Sequence, residues 1–196
     1  MNIIDSLKPS QLKHIEIKNL KKDSTLFREN ELCSSIGIVL KGTVSIVTYL
    51  ENGDEIIYNT LKTNEIFGNN LIFSSKPYYK GNIITNEDCV IALIQKDYLL
   101  TLLKNNETFV IEYLKIQSNF TQVLNNKIKL LSMDSAEERF YFYMHENHNK
   151  VEYASIKSLA KELYLERETL SRLLSKLIKQ KKIIKEDKNI ILKQGD

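Results

Sequence analysis

The sequence predicts an α+β chain: an antiparallel β domain, one long helix, and a helical C-terminal domain closed by two strands. Three observations carry that prediction. From about Leu26 to Ile94 short β-rich runs alternate with turn residues; from about Tyr98 to Leu131 the apolar period becomes helical; from Ser155 to Leu192 two short amphipathic helical patterns lead into two isoleucine pairs.

The β zone contains "IGIVLKG", "TVSIVTYL", "ENGDEIIYNTL", "IFG", "GNIIT" and "CVIALI", punctuated by Gly42, Gly53, Gly68 and Gly81. Short strands at such close spacing form an antiparallel sandwich or barrel. "YLENGDEI" predicts a hairpin, because Asn52-Gly53 supplies residues that tolerate positive φ.

In the helical zone Phe109, Tyr113, Ile116, Phe120, Val123, Lys127 and Leu130 follow alternating steps of four and three, the seam of a coiled coil. A second stripe, Val110, Leu114, Leu124, Ile128 and Leu131, runs beside it. Two adjacent apolar stripes need two surfaces, and the simplest pair is the chain's own β domain and a second copy of the chain. A homodimer through the first seam is therefore expected, with Phe109, Tyr113, Ile116, Phe120, Val123 and Lys127 at the interface.

In "LSMDSAEERF", Asp134 or Ser135 can cap a new helix with acids in its first turn. That helix carries Phe140, Tyr141 and Met144 and breaks at "HENHNK". Ser155 is a good N-cap for Ile156, Leu159, Ala160 and Leu163 on one face; a link at Tyr164-Leu165 leads to Leu170, Leu173, Leu174 and Leu177 on another. Two short amphipathic helices joined by a tight turn match a helix-turn-helix, whose second helix can enter the DNA major groove. That helix opens with Arg167, Glu168, Ser171 and Arg172, types that read base edges: arginine donates two hydrogen bonds to guanine and glutamate accepts from the cytosine amino group. "KKIIKEDKNIIL" then reads as a two-stranded wing, Ile183-Ile184 and Ile190 to Leu192, turning at "EDKN".

Charge agrees with this reading. The chain's net charge of +3 lies wholly after residue 134, and between Arg167 and Lys185 seven basic residues face one acid, Glu168. Such a segment is the footprint of a polyanion partner. The N-terminus has no signal-peptide core and no stretch reaches the apolar length of a membrane span, so a cytoplasmic location without membrane association is expected. Cys33 and Cys89 are expected to be reduced, buried thiols.

"SLAKELYLERETLSRLLSKL" resembles the DNA-binding signature of the Crp/Fnr family of bacterial transcription regulators, and "IGIVLKGTVSIVTYLENGDEIIYNTLKTNEIFG" resembles its cyclic-nucleotide-binding-like sensor domain. The long helix lies where that family places its dimerisation helix, and "AEERF" resembles the start of its DNA-binding domain. The resemblance implies a jelly-roll-like β-roll sensor domain over 1–104, a dimerisation helix over 105–133 and a winged helix-turn-helix domain over 134–196. It implies a homodimer on a palindromic operator with a GA-containing half-site, and RNA polymerase as a further partner. Arg167, Glu168, Ser171 and Arg172 would read bases, while Ser155, Lys157, Thr169 and Lys182 would contact phosphates and set register. In the turn, Tyr164 stands where the family often has Gly, and Glu166 where it often has a capping Ser or Thr.

The effector pocket implied by the resemblance comprises Gly68, Asn69, Asn70, Tyr79 and Lys80. Members that bind cyclic AMP carry a Glu soon after the Gly of "IFG" and an Arg-Ser pair about ten residues later. Here Asn69 and Asn70 follow Gly68, and "PYYKGN" offers only Lys80, which lacks the planar fork of arginine. Cyclic-nucleotide binding is not expected. No cofactor or metal is expected either: an iron–sulfur cluster needs four thiolates, and His14, His145 and His148 all lie outside the β zone, where haem or cupin-type metal ligands would have to converge. The remaining signals are a different small molecule, a redox change at a cysteine, or none. An enzyme is not expected; the other class open to such a chain is a regulatory module acting through protein partners rather than DNA.

Overall fold

The computed structural model describes residues 3–193. After a short helix α1 (Pro9–Leu12), the strands β1 (Glu16–Leu20), β2 (Thr25–Phe27), β3 (Ser35–Lys41), β4 (Val44–Tyr49), β5 (Glu55–Leu61), β6 (Ile66–Phe67), β7 (Asn82–Thr85) and β8 (Cys89–Gln95) form two antiparallel sheets. Their orders are β1-β8-β3-β6 and β2-β7-β4-β5. The central strands β3 and β8 bury Ile36, Ile38, Val39, Ile91, Leu93 and Ile94, which is why they read as near-continuous apolar runs. β5 is an edge strand with Ile56, Ile57 and Tyr58 in solvent. The expected hairpin is present: Gly53 takes φ +86°, and the Leu50 amide donates to the Asp54 carbonyl at 2.9 Å.

The helical zone is two helices rather than one continuous period, α2 (Lys96–Asn105) and α3 (Glu107–Leu131). Asn106 separates them: its backbone is extended at φ −137°, its Oδ1 accepts from the Phe109 amide at 3.1 Å, and its Nδ2 donates to the Ser6 carbonyl and Gln11 Oε1. The side-chain cap starts α3 and ties its N-terminus to the chain's first turns.

Next come α4 (Ala136–Glu146), β9 (Lys150–Glu152), α5 (Ile156–Glu162), α6 (Arg167–Lys179), β10 (Ile183–Glu186) and β11 (Asn189–Leu192). Ser135 caps α4 with a reciprocal bond pair to Glu138, and Ser155 caps α5 with the same arrangement to Ser158. The wing has a third strand that the sequence pattern did not show: β9 pairs with β11, placing Val151 opposite Ile190. β10 and β11 form the expected hairpin, turning at Asp187 with φ +48°.

The chain divides into two compact units, Met1–Asn119 and Phe120–Asp196, so the division falls inside α3. Each has its own apolar core. The first gathers the strand residues with Leu99, Leu102, Phe109 and Tyr113; the second gathers Leu130, Phe140, Met144, Leu159, Leu163, Leu170, Leu174, Leu177, Ile183 and Ile190.

Burial corrects the expected dimer seam at its first three positions. Phe109 is fully buried and Tyr113 nearly so, both in the core of the first unit, and Ile116 packs against the same core. The start of that seam is the face with which α3 grips its own β domain. Later seam positions differ: Phe120 and Val123 are exposed, Val123 at 68%, and Lys127 lies at the surface with its Nζ over the Tyr164 ring. The stripe beside it starts at half-buried Val110 and is then also in water, with Leu114 (56% exposed), Leu124, Ile128 (57%) and Leu131.

Candidate nucleic-acid interface and sensor pocket

The second unit presents α6 by burying its leucines and leaving the opposite face open. Leu170, Leu173, Leu174 and Leu177 point into the core, while Arg167, Glu168, Ser171 and Arg172 are exposed. These four line one shallow cleft together with Ile156, and the face continues along Ser175, Lys176, Lys179 and Gln180. Arg172 Nε is held at 3.4 Å from the Glu168 carbonyl, leaving the end of its guanidinium free to act outward.

The turn before α6 bends at Tyr164. Tyr164 takes the left-handed conformation, φ +53°, which costs a residue with a Cβ about 1–2 kcal/mol. Its carbonyl accepts from Arg139 Nη1 at 2.9 Å, and Lys127 Nζ sits 5.2 Å from its ring centroid, so both ends of the strained residue are held. Glu166 occupies the N-cap of α6 without a side-chain cap bond. Behind the turn, the Tyr143 hydroxyl donates to Glu162, joining α4 to α5; burial, and then the adjacent carboxylate, raise that hydroxyl's pKa and keep it a donor.

The expected phosphate contacts divide. Lys157 is exposed, Thr169 is half-buried, and the Ser155 hydroxyl is engaged in its cap, accepting from the Ser158 amide at 3.0 Å. Lys182 lies 3.7 Å from Glu137 and 5.9 Å from the Tyr141 ring centroid, so its charge is partly countered within the fold. Glu137 also pairs with Lys176 at 2.7 Å, and that bond holds its carboxyl below the usual range while raising Lys176.

In the first unit two of the residues expected around an effector, Asn69 and Tyr79, are engaged with other parts of the fold. Gly68 takes φ +78°, and a Cβ there would lie 2.9 Å from the Ser35 carbonyl oxygen. Asn69 is buried; its Nδ2 donates to Gln117 Oε1 at 2.7 Å, and its carbonyl accepts from Gln117 Nε2 at 2.9 Å and the Tyr113 hydroxyl at 3.3 Å. Tyr79, expected to line the pocket, is instead a core residue: its ring stacks on Phe27 at 4.7 Å and its hydroxyl donates to the Ser35 carbonyl. Asn70 and Lys80 are exposed. Gln117 is the residue that sequence reasoning missed; it fell between two apolar stripes, and no local pattern links it to Asn69.

Residues 17–106 match the family of cyclic nucleotide-binding domains. An uncharacterised protein of Haemophilus influenzae is 27% identical over 104 residues, 53% of this chain and 80% of that protein. Among solved structures, a mutant of CooA from Carboxydothermus hydrogenoformans superposes with a TM-score of 0.66 at 16% identity, covering 99% of this chain and 92% of that one. The catabolite activator protein of Thermus thermophilus does so with 0.57 at 16% identity, covering 97% and 93%. The fold is that of the Crp/Fnr regulators.

Within this Crp/Fnr fold the two cysteines behave as packing residues. Cys33 and Cys89 are both buried, and burial pushes both thiols above their ordinary pKa. Cys33 Sγ donates weakly to the Ser35 and Gly68 carbonyls. A thiol held protonated and inaccessible is a poor nucleophile, which argues against a redox signal at either position. Among the described residues no cluster of His, Cys, Asp and Glu has the geometry of a metal site, and no helix is long and apolar enough to cross a membrane.

Proposed function

We propose that the chain is a sequence-specific DNA-binding transcription regulator of the Crp/Fnr type. It binds a palindromic operator as a homodimer and presents α6 to the major groove of each half-site. The observation that carries this reading is the exposed polar face of α6, where Arg167, Glu168, Ser171 and Arg172 stand together at one cleft above a fully apolar inner face. Division of labour follows from chemistry. Glu168 accepts from the cytosine opposite a guanine, Arg172 and Arg167 donate to purine acceptors, and Lys157, Lys179 and the wing lysines meet phosphates.

The dimer forms through the exposed apolar side chains of α3, Leu114, Phe120, Val123, Leu124, Ile128 and Leu131, because an apolar row of that length is otherwise unfavourable in water. The β-roll modulates this activity, and its effector is not a cyclic nucleotide. Asn69, in the place of the acid that holds the ribose, is engaged with Gln117, and Lys80 has no arginine beside it in sequence.

Binding selection on randomised duplexes followed by electrophoretic shift tests the reading. A selected palindrome with half-sites about one helical turn apart is the expected result. Ile128→Asp should convert a dimer in sedimentation to a monomer and weaken operator binding with it. Selection that enriches no sequence would overturn the proposal.

A further inference from the structure

We infer that Ile156 is a specificity-determining residue: its side chain reads the 5-methyl group of a thymine beside the base pair contacted by Glu168. The inference rests on the DNA-binding reading above and adds a contact of different chemistry to it. Ile156 is the first residue of α5, directly after the Ser155 cap. It is half-buried: part of it packs against the core of the second unit, and the rest forms a wall of the cleft that also contains Arg167, Glu168, Ser171 and Arg172.

Every other wall of that cleft is a hydrogen-bonding side chain. Its neighbours at the start of α5, Ser155, Lys157 and Ser158, are polar as well. A branched aliphatic group among donors and acceptors matches a base-pair edge that itself combines hydrogen-bonding atoms with a methyl. In the major groove only thymine offers one. Covering that methyl removes apolar surface of both partners from water, a gain cytosine in the same place cannot provide. Because the isoleucine is anchored on the core, it holds its position without the rotamer entropy that a long cationic side chain would lose.

The test uses the full-length protein and duplexes carrying its selected half-site, in which each thymine in turn is replaced by deoxyuridine. The substitution deletes the methyl and nothing else. At one thymine the unmodified protein should bind about fourfold more weakly, the value of one buried methyl. Ile156→Ala should bind the thymine and deoxyuridine forms there alike while keeping the preference set by Glu168. Should Ile156→Ala lose its helical signal by circular dichroism, Ile156→Gln, which keeps a long stem with a polar end, takes its place. Equal binding of thymine and deoxyuridine at every position by the unmodified protein overturns the inference, as does an undiminished methyl effect in the variant. In both cases a Glu168-dependent preference leaves the DNA-binding reading intact, whereas absence of any selected sequence overturns the two together.

Discussion

The two units treat their polar residues in opposite ways. In the first, two side chains of the expected effector pocket turn inward, Asn69 to bond Gln117 on α3 and Tyr79 to stack in the core, while Asn70 and Lys80 stay exposed. In the second, Arg167, Glu168, Ser171 and Arg172 turn outward, and the core behind them is leucine. A polar group that satisfies its hydrogen bonds within the fold contributes to stability, while one left at the surface is available for a partner. Mutations in the first group should therefore register in unfolding and those in the second in binding.

The largest effect is expected from Phe109→Ala. Phe109 sits in the core of the first unit, and its truncation should cost about 3–5 kcal/mol in urea denaturation. Val123→Ala, on the same helix but exposed, should change folding stability by no more than about 0.5 kcal/mol when measured in the Ile128→Asp background. Similar losses for both would erase the distinction between the gripping and the open parts of α3.

Next in size is Glu168→Ala, which should leave unfolding unchanged and cost about 1–3 kcal/mol of binding at one base pair, relaxing preference there. Lys182→Ala should weaken all sequences alike and lower the slope of log affinity against log salt by less than about one, because Glu137 already counters part of its charge. A full unit of slope would mean that the Lys182–Glu137 pair opens on DNA. An unchanged selected sequence for Glu168→Ala would refute the assignment of α6.

In the first unit Asn69→Ala should cost less than Phe109→Ala. It removes the donor to Gln117 but not the Asn69 carbonyl that Gln117 and Tyr113 also use, so the cost should be about 1 kcal/mol in denaturation. A calorimetric titration of the unmodified protein with cyclic AMP or cyclic GMP should meanwhile show no micromolar binding; a clear isotherm would reverse the inward reading of this site.

Much of this was legible in the sequence because it is local. The caps at Ser135 and Ser155, the Asn52-Gly53 hairpin and the leucine face of α6 each depend on residues within one or two turns of chain. Three features were not. β9 is only three residues long and exists by pairing with β11, some forty residues away. The bond between Asn69 and Gln117 spans 48 positions. The stripes of α3 are equivalent to any periodicity measure, since periodicity shows that a face is apolar but not what covers it. A chemical distinction was present: the buried face starts with aromatic Phe109 and Tyr113, the open stripe with aliphatic residues, and the β core of the first unit accommodates the larger rings.

Edge strand β5 bears on how the protein must be handled. Its outer row of backbone amides and carbonyls has no neighbouring strand in the sheet order, and Ile56, Ile57 and Tyr58 stand in solvent beside it. Glu55 and the bulge at Tyr58, which the pairing with β4 skips between Ile57 and Asn59, blunt this edge without closing it. Crowded preparations are therefore expected to pair β5 with β5 of a second copy, a contact that uses the same edge on both chains and closes at two. Such a contact would not use the α3 stripe, so a dilution series of Ile128→Asp is what separates it from the dimer formed through that helix.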